Sequence, residues 1–402
     1  MASLNGIRVV DLTSYIQGPA ATLELADMGA DVIKIEPPAG DPLRKFGTTP
    51  DGFSASFESL NRNKRGIALD LREAAAVAVL HRLVDRADIL IVNFRQKLLS
   101  RLGLDYAELE ARLPRLIHVT ATAYGVEGPD ADEPAFDIVA GGRSGLLVAT
   151  GRAEGEPRRP LSPSGDLIAA KDTVNAIALA LFARERSGKG QQVVTSLLRS
   201  QIAFQRIGFN AFLNSGELIN VGHRDGMALS TWYRTSDDRW IVISLLHPRF
   251  FPVLCEAIGR PDLADDPRFG DPTQWAGSDQ ELRDALAEEF AKRTRDDWVR
   301  VLRNADLPAG PVLDLPEVVE DPQVRAQQMF VEYPHPKHGS IRSVGTAASW
   351  SGTPPERFAP APDIGQHSAA ILAEAGYDAL QARSLFESGA VIDASSAPEP
   401  TP

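Results

Sequence analysis

Short β-branched runs and amphipathic stretches alternate along the first half of the chain. "IRVVDL" reads as a buried strand, "GPAATLELADMG" has helical spacing and closes at Gly29, and "DVIKIE" is a second strand stopped by Pro37 and Pro38. After a polar loop come the strand "GIALDL", a helix from about Ala74 to Asp85, the strand "DILIVNF", a further helix and the strand "LIHVTATAY". Strands separated by helices predict a parallel sheet with right-handed crossovers, an α/β domain. A long helix opens near Asp166, runs to about Arg186 and ends at "SGKG", a glycine stop preceded by basic residues. "QQVVTSLL" returns as a strand, and a helical stretch follows to about Asn214.

The pattern changes near residue 220. "TWYRTSDDRWIVISLL" predicts an antiparallel hairpin turning at Ser236 to Asp238. Helices follow around Phe250 to Ile258, Gln280 to Arg293 and Trp298 to Asn304, then a Pro-rich connector, "LPAGPVLDLPEVVEDP". Strand signals and one helix fill the chain to about Ile392, and "DASSAPEPTP" reads as a disordered tail, residues 393–402. The expected organisation is a discontinuous large domain from residues 1–215 and 316–392, with a small α+β domain at 216–315 between its parts. Trp232, Tyr233 and Trp240 are expected to pack in the small domain's core rather than line a ligand site, since hairpin aromatics pair across strands.

Composition narrows the partners. A chain of 402 residues exceeds what one compact core usually serves. Its formal net charge of −12 disfavours nucleic-acid or anionic-membrane partners. Cys255 is the only cysteine, so neither an internal disulfide nor a cysteine metal cluster is expected. The start "MASLNGIRVVDL" lacks the basic-then-apolar pattern of a signal peptide, and the longest apolar run, "VNAIALALF", is too short to span a bilayer. A cytoplasmic protein is expected.

Common catalytic fingerprints are missing. The first turn, "SYIQGPAATLE", is not a G-x-G-x-x-G loop, so Glu36 at the end of the second strand reads as a solvated strand end rather than a ribose ligand. No phosphate loop or G-x-S-x-G elbow occurs, and His335 and His338 in "HPKHG" read as loop residues, so no metal site is expected. Two basic clusters stand out: Arg62, Lys64 and Arg65, and Arg95, Lys97 and Arg101. The second follows the strand "DILIV", where open α/β sheets bind ligands, and would suit a polyphosphate; a solvated helix face is equally compatible. Asp166 stands at a helix start in "PSGDLIAAKD". Spacing favours a helix cap, and the local dipole should lower its pKa. A constant anion there also suits nucleophilic attack on an activated acyl group.

Several stretches together resemble the family III CoA-transferases of the CaiB/BaiF type, which include formyl-CoA and carnitine CoA-transferases. They are "LNGIRVVDLTSYIQGPAATLELADMGADVIKIEPPAGDPLR", "LNRNKRGIALDLR", "ADILIVNFRQKLLSRLGLDY", "SGLLVATG", "GDLIAAKDTVNAIALALFARERSGKGQQVVTSLL", "AIGRPDLADDPRF" and "DIGQHSAAILAEAGY", in the family's order along nearly the whole chain. The resemblance implies a Rossmann-like large domain built from both chain ends, a smaller α+β domain, and an interlocked homodimer. It implies acyl-CoA:carboxylate CoA-transfer, with the acyl-CoA donor and a carboxylic acid acceptor as substrates and no permanently bound cofactor. It places the nucleophile on Asp166, which would pass through a mixed anhydride and an aspartyl-CoA thioester, with amides at the helix start stabilising oxyanions. It places coenzyme A contacts on Ile16, Leu69, Arg72, Asn93, Phe94, Leu98, Arg101 and Phe136, with Arg62, Lys64 and Arg65 as plausible neighbours.

The sequence departs from the family pattern in places. Pro37 and Pro134 replace basic contacts of some members, Gly141 replaces a glutamine, and a glycine-rich lid is reduced to Gly222 and Gly226. Racemases of 2-methylacyl-CoA share the fold but need a histidine where Phe136 stands, and phenylalanine cannot transfer a proton. A CoA-binding protein without turnover is a further alternative, and a nicotinamide oxidoreductase is disfavoured by the missing glycines.

Overall fold

The computed structural model describes residues 1–151, 156–161, 163–218, 228–269 and 275–394. Helices and strands alternate from the start: β1 (Arg8–Leu12), α1 (Gln17–Asp27), β2 (Asp31–Glu36), α2 (Ala55–Asn61), β3 (Arg65–Leu69), α3 (Ala74–Val84), β4 (Ile89–Val92), α4 (Gln96–Arg101), α5 (Tyr106–Arg112) and β5 (Ile117–Thr122). Then follow α6 (Asp137–Arg143), α7 (Leu146–Ala149), α8 (Ser164–Ser187), β6 (Gln192–Ser196), α9 (Leu197–Phe204) and α10 (Arg206–Ser215). The six strands pair in parallel in the order β3-β2-β1-β4-β5-β6, the doubly wound order of a Rossmann fold. All four residues of β4 are fully buried, as a strand covered on both faces requires. Val10, Ile33, Ile67 and Leu90 pack with α3 on one face; Val9, Val32, Ile89 and Ile117 pack with α1 and α8 on the other. The predicted strand "QQVVTSLL" ends at Ser196, whose hydroxyl accepts from Arg199 N–H at 3.2 Å and starts α9.

A smaller unit spans residues 228–327. It holds the hairpin β7 (Ser230–Arg234) and β8 (Trp240–Ser244), α11 (Phe250–Ile258), α12 (Pro261–Asp265), α13 (Trp275–Phe290), α14 (Arg295–Asn304), β9 (Ala309–Pro311), α15 (Leu315–Glu320) and α16 (Pro322–Ala326). The Pro-rich stretch is therefore no linker. Ala309–Pro311 pairs with β8 as an edge strand, where proline costs no sheet hydrogen bond, and Glu317 of α15 pairs with Arg295 at 2.9 Å. Of the three hairpin aromatics only Tyr233 is in the core, stacked on Phe290; Trp232 and Trp240 project from the opposite face, 46% and 41% exposed. Alternation along a strand puts them there.

The chain then rejoins the larger unit through β10 (Phe330–His335), β11 (Gly339–Val344), α17 (Ser368–Glu374), α18 (Ala379–Glu387) and β12 (Val391–Ile392). β12 lies antiparallel on β3. Arg62 chelates Asp27 and donates to Val344 O at 2.6 Å, and the Tyr333 hydroxyl donates to Glu58 at 2.8 Å, so first-half residues hold the last part of the chain. His335 ends β10 and His338 lies in the turn, their rings 4.6 Å apart. Gly222, Gly226 and most of the expected tail lie outside the described residues. Among the described residues no helix is long and apolar enough to cross a membrane.

Candidate active site

Strand order reverses between β1 and β4, so the ligand crevice of this fold lies beyond their carboxyl ends. The turn leaving β1 is fastened from every side. Lys34 Nζ donates to Thr13 O at 3.0 Å and to Asp41 at 2.9 Å. Lys64 Nζ donates to Pro19 O at 3.0 Å and pairs with Asp11 at 3.2 Å. Asn93 uses both ends of its amide on the backbone of Ser14. Burial opposes these charges, yet Lys64, Lys34 and the Thr13 and Thr22 hydroxyls hold the Asp11 carboxyl below the usual range. Burial dominates at Lys64, whose pKa is pushed down to about 8.

Beyond β4 and β5 lies a cavity of about 380 Å³ lined by Asn93, Phe94, Arg95, Thr120, Pro134 and Phe136 among others. Three of the coenzyme A contacts expected from sequence thus meet at one opening. Ile16 stands at the start of α1, Leu98 of α4 packs against the core, and Arg101 is exposed in the last turn of α4. Leu69 and Arg72 do not line this cavity: the Leu69 side chain is in the core, and Arg72 is exposed and pairs with Asp70. The first basic cluster is consumed internally, Arg62 by Asp27, Lys64 by Asp11, and Arg65 by Asp31 and Glu374. Glu36 is not a solvated strand end; it is buried and grips the Arg44 guanidinium.

Asp166 lies in the first turn of α8, two residues past the start, and does not cap it. Pro163 at the cap position has no side-chain acceptor, and another segment supplies one. The Asp137 carboxylate accepts the backbone N–H groups of Gly165 and Asp166, and Gln201 Nε2 holds it at 3.1 Å. A Cβ on Gly165 would stand 2.0 Å from both Asp137 Oδ1 and Gln201 Nε2, so any side chain there would displace the pair that holds the helix start. The Asp166 carboxyl is half-buried beside this second carboxylate. Burial, then the Asp137 charge, push its pKa up to about 7, against the lowered value expected from the helix dipole.

Two features at this site escaped the sequence. Asp137 was visible only as the residue after Phe136. Gln17 opens α1, which runs beside α8 with Glu24 and Lys171 paired, so Gln17 and Asp166 stand at the same edge of the sheet. Among the described residues three buried side-chain polar atoms lack a partner, and Gln17 Nε2 and Ser164 Oγ are two of them. Unpartnered buried donors at one edge are available to a substrate or to water.

The CoA-transferase family III model matches residues 4–368. The acetyl-CoA:oxalate CoA-transferase of Acetobacter aceti is 34% identical, covering 92% of this chain and 95% of that one. The succinyl-CoA:glutarate CoA-transferase of Mus musculus is 31% identical over 97% of this chain and 91% of its own. A CAIB/BAIF family protein from Brucella suis superposes with a TM-score of 0.84 at 30% identity, covering 93% of this chain and 99% of its own. Likeness of this extent, running through both sequence and fold, settles the kinship: the chain belongs to CoA-transferase family III and is a CoA-transferase.

Proposed function

We propose that the chain moves coenzyme A from an acyl-CoA donor to a carboxylic acid acceptor through covalent intermediates on Asp166. The Asp166 carboxylate attacks the thioester carbonyl, the C–S bond breaks and CoA thiolate leaves a mixed anhydride. The thiolate then attacks the aspartyl carbonyl, releasing the donor acid and leaving an aspartyl-CoA thioester. The acceptor carboxylate repeats both steps in reverse, and Asp166 is regenerated. The observation that carries this reading is the paired burial of Asp166 with Asp137. Acylation turns the Asp166 anion into a neutral carbonyl, which relieves the repulsion and favours the covalent state.

The amides of Gly165 and Asp166 are committed to Asp137, so they do not serve the oxyanion as the sequence suggested. Gln17 Nε2 and Ser164 Oγ are the buried donors left for that role. In this reading coenzyme A is held by Ile16, Leu69, Arg72, Asn93, Phe94, Leu98, Arg101 and Phe136, and the cavity lined by Asn93, Phe94 and Phe136 supports the central part of that set. Relatives named for acetyl-CoA with oxalate and for succinyl-CoA with glutarate support short acids as the first substrates to try. A homodimer is part of the proposal. Phe204 on α9, and Ile207 and Phe212 on α10, are 50–73% exposed and line an apolar cavity of about 590 Å³. A patch of that kind suits a second copy of the chain.

Intact mass and peptide mapping after incubation with acyl-CoA thioesters test the mechanism. A CoA-sized adduct on Asp166, released by hydroxylamine and missing in Asp166→Ala, is the expected result. Exchange of the acyl α-hydrogen without an adduct would replace this mechanism by a racemase. Light scattering that reports a monomer would remove the dimer.

A further inference from the structure

Tyr15 has φ +67°, a left-handed backbone that bulky residues rarely adopt. Such a conformation persists only where its surroundings over-determine it. They do so here. The Tyr15 N–H donates to Asp41 Oδ1 at 3.3 Å, Asn93 clamps Ser14 on both sides, and Lys34 holds Thr13 O. A Cβ on Gly18 would fall 2.3 Å from the Thr13 side chain, so the turn is also closed on itself.

The result of this arrangement is the placement of one ring. Tyr15 meets Phe136 edge to face, with centroids 5.1 Å apart and planes at 70°. Phe136 lines the cavity beyond β4 and β5 and keeps 61% of its surface, so it has ring area left for a ligand after Tyr15 has covered one side. The next residue is Asp137, whose carboxylate holds the Asp166 amide. The aromatic pair therefore lies at the cavity and one residue along the chain from the carboxylate that anchors the start of the Asp166 helix.

An acyl carrier built on a carboxylate has a standing competitor. Water can attack the aspartyl-CoA carbonyl, break the C–S bond, protonate the departing thiolate and restore Asp166, which destroys the thioester with no transfer. Excluding water is what keeps the intermediate for the acceptor. We propose that the Tyr15–Phe136 pair is the water-excluding wall of this site, with Tyr15 held in a strained backbone so that its ring covers Phe136. The inference rests on the covalent reading above.

The test is the ratio of thioester hydrolysis to CoA transfer in full-length wild type, Tyr15→Phe, Tyr15→Ala and Tyr15→Gly, using acetyl-CoA or succinyl-CoA with oxalate or glutarate. Tyr15→Gly removes the ring and also relieves the backbone strain, so folding is protected. Both Ala and Gly variants should raise the ratio about tenfold, the factor equivalent to the ~1.4 kcal/mol at the upper range of an aromatic pair. Tyr15→Phe should match wild type. An unchanged ratio with a slower transfer rate would reduce Tyr15 to a structural residue and overturn the proposal. So would a Phe variant as leaky as the Ala variant, since an apolar cover needs no hydroxyl. Wild type that forms no Asp166 adduct and moves no CoA would fail earlier, at the covalent reading itself, and take the inference with it.

Discussion

Replacing Asp166 by asparagine should stabilise the protein, and by more at alkaline than at acid pH. The folded carboxyl titrates near 7 against an ordinary 3.8, because burial and Asp137 disfavour its charge. Between those values the folded chain keeps a proton that the unfolded chain gives up. Stability therefore falls as pH rises through this window, and the loss is complete above about 7. The full displacement corresponds to about 4 kcal/mol, and partial solvent contact at this side chain reduces it to roughly 2 kcal/mol. Asparagine keeps the shape and has no proton to lose. Unfolding of wild type and Asp166→Asn should be compared at pH 4.5 and pH 8 by denaturant titration or calorimetry. The variant's advantage should grow with pH by roughly 2 kcal/mol. An advantage that is the same at both pH values, or a wild type that gains on the variant at pH 8, would refute the argument. The same titration governs chemistry: adduct formation by wild type should rise with pH through about 7 as the nucleophile ionises.

Asp137→Asn removes the neighbouring charge and should move the midpoint of that rate profile to lower pH, read by rapid-quench mass spectrometry across pH 5–9. Gly165→Ala drives a methyl into Asp137 and Gln201, so adduct formation should be lost and stability should drop by about 1–3 kcal/mol in denaturant unfolding. Lys64→Met leaves the fully buried Asp11 without its ion-pair partner and should cost about 3–5 kcal/mol. Adding Asp11→Asn should recover part of that loss; a double variant as unstable as the single one would show that the charge pair is not the cause.

Local pattern carried the strands because β1, β2 and β4 are buried on both faces and rich in β-branched apolar residues, β4 throughout and β1 and β2 around their buried charges Asp11 and Lys34. It failed where an outcome depends on distant residues. Charge alone could not show that Arg62 and Arg65 belong to Asp27 and Asp31, since those partners arrive from other elements. Proline in "LPAGPVLDLP" signalled a connector, and only the edge position of β9 makes it compatible with a strand. Asp166 as a nucleophile came from resemblance, whereas spacing pointed to a cap. The acceptor that makes a cap unnecessary sits on α6, and burial, with the charge of that acceptor added, raises the Asp166 pKa against the sign that the helix dipole alone suggests. The cap-position proline was the one local hint that another segment had to serve.

The antiparallel seat of β12 on β3 bears on how the protein is made. During synthesis the first five strands emerge long before residues 391–392, and β3 waits with an open edge. Glu58, Arg62 and Asn63 wait as well for Tyr333, Val344 and Ala359. The smaller unit, whose described residues 228–327 are translated before residue 328, is free to finish while the larger one is still incomplete. The Rossmann half therefore matures last although its first strands are translated first, and the nascent chain is most exposed to mispairing in the interval between the two.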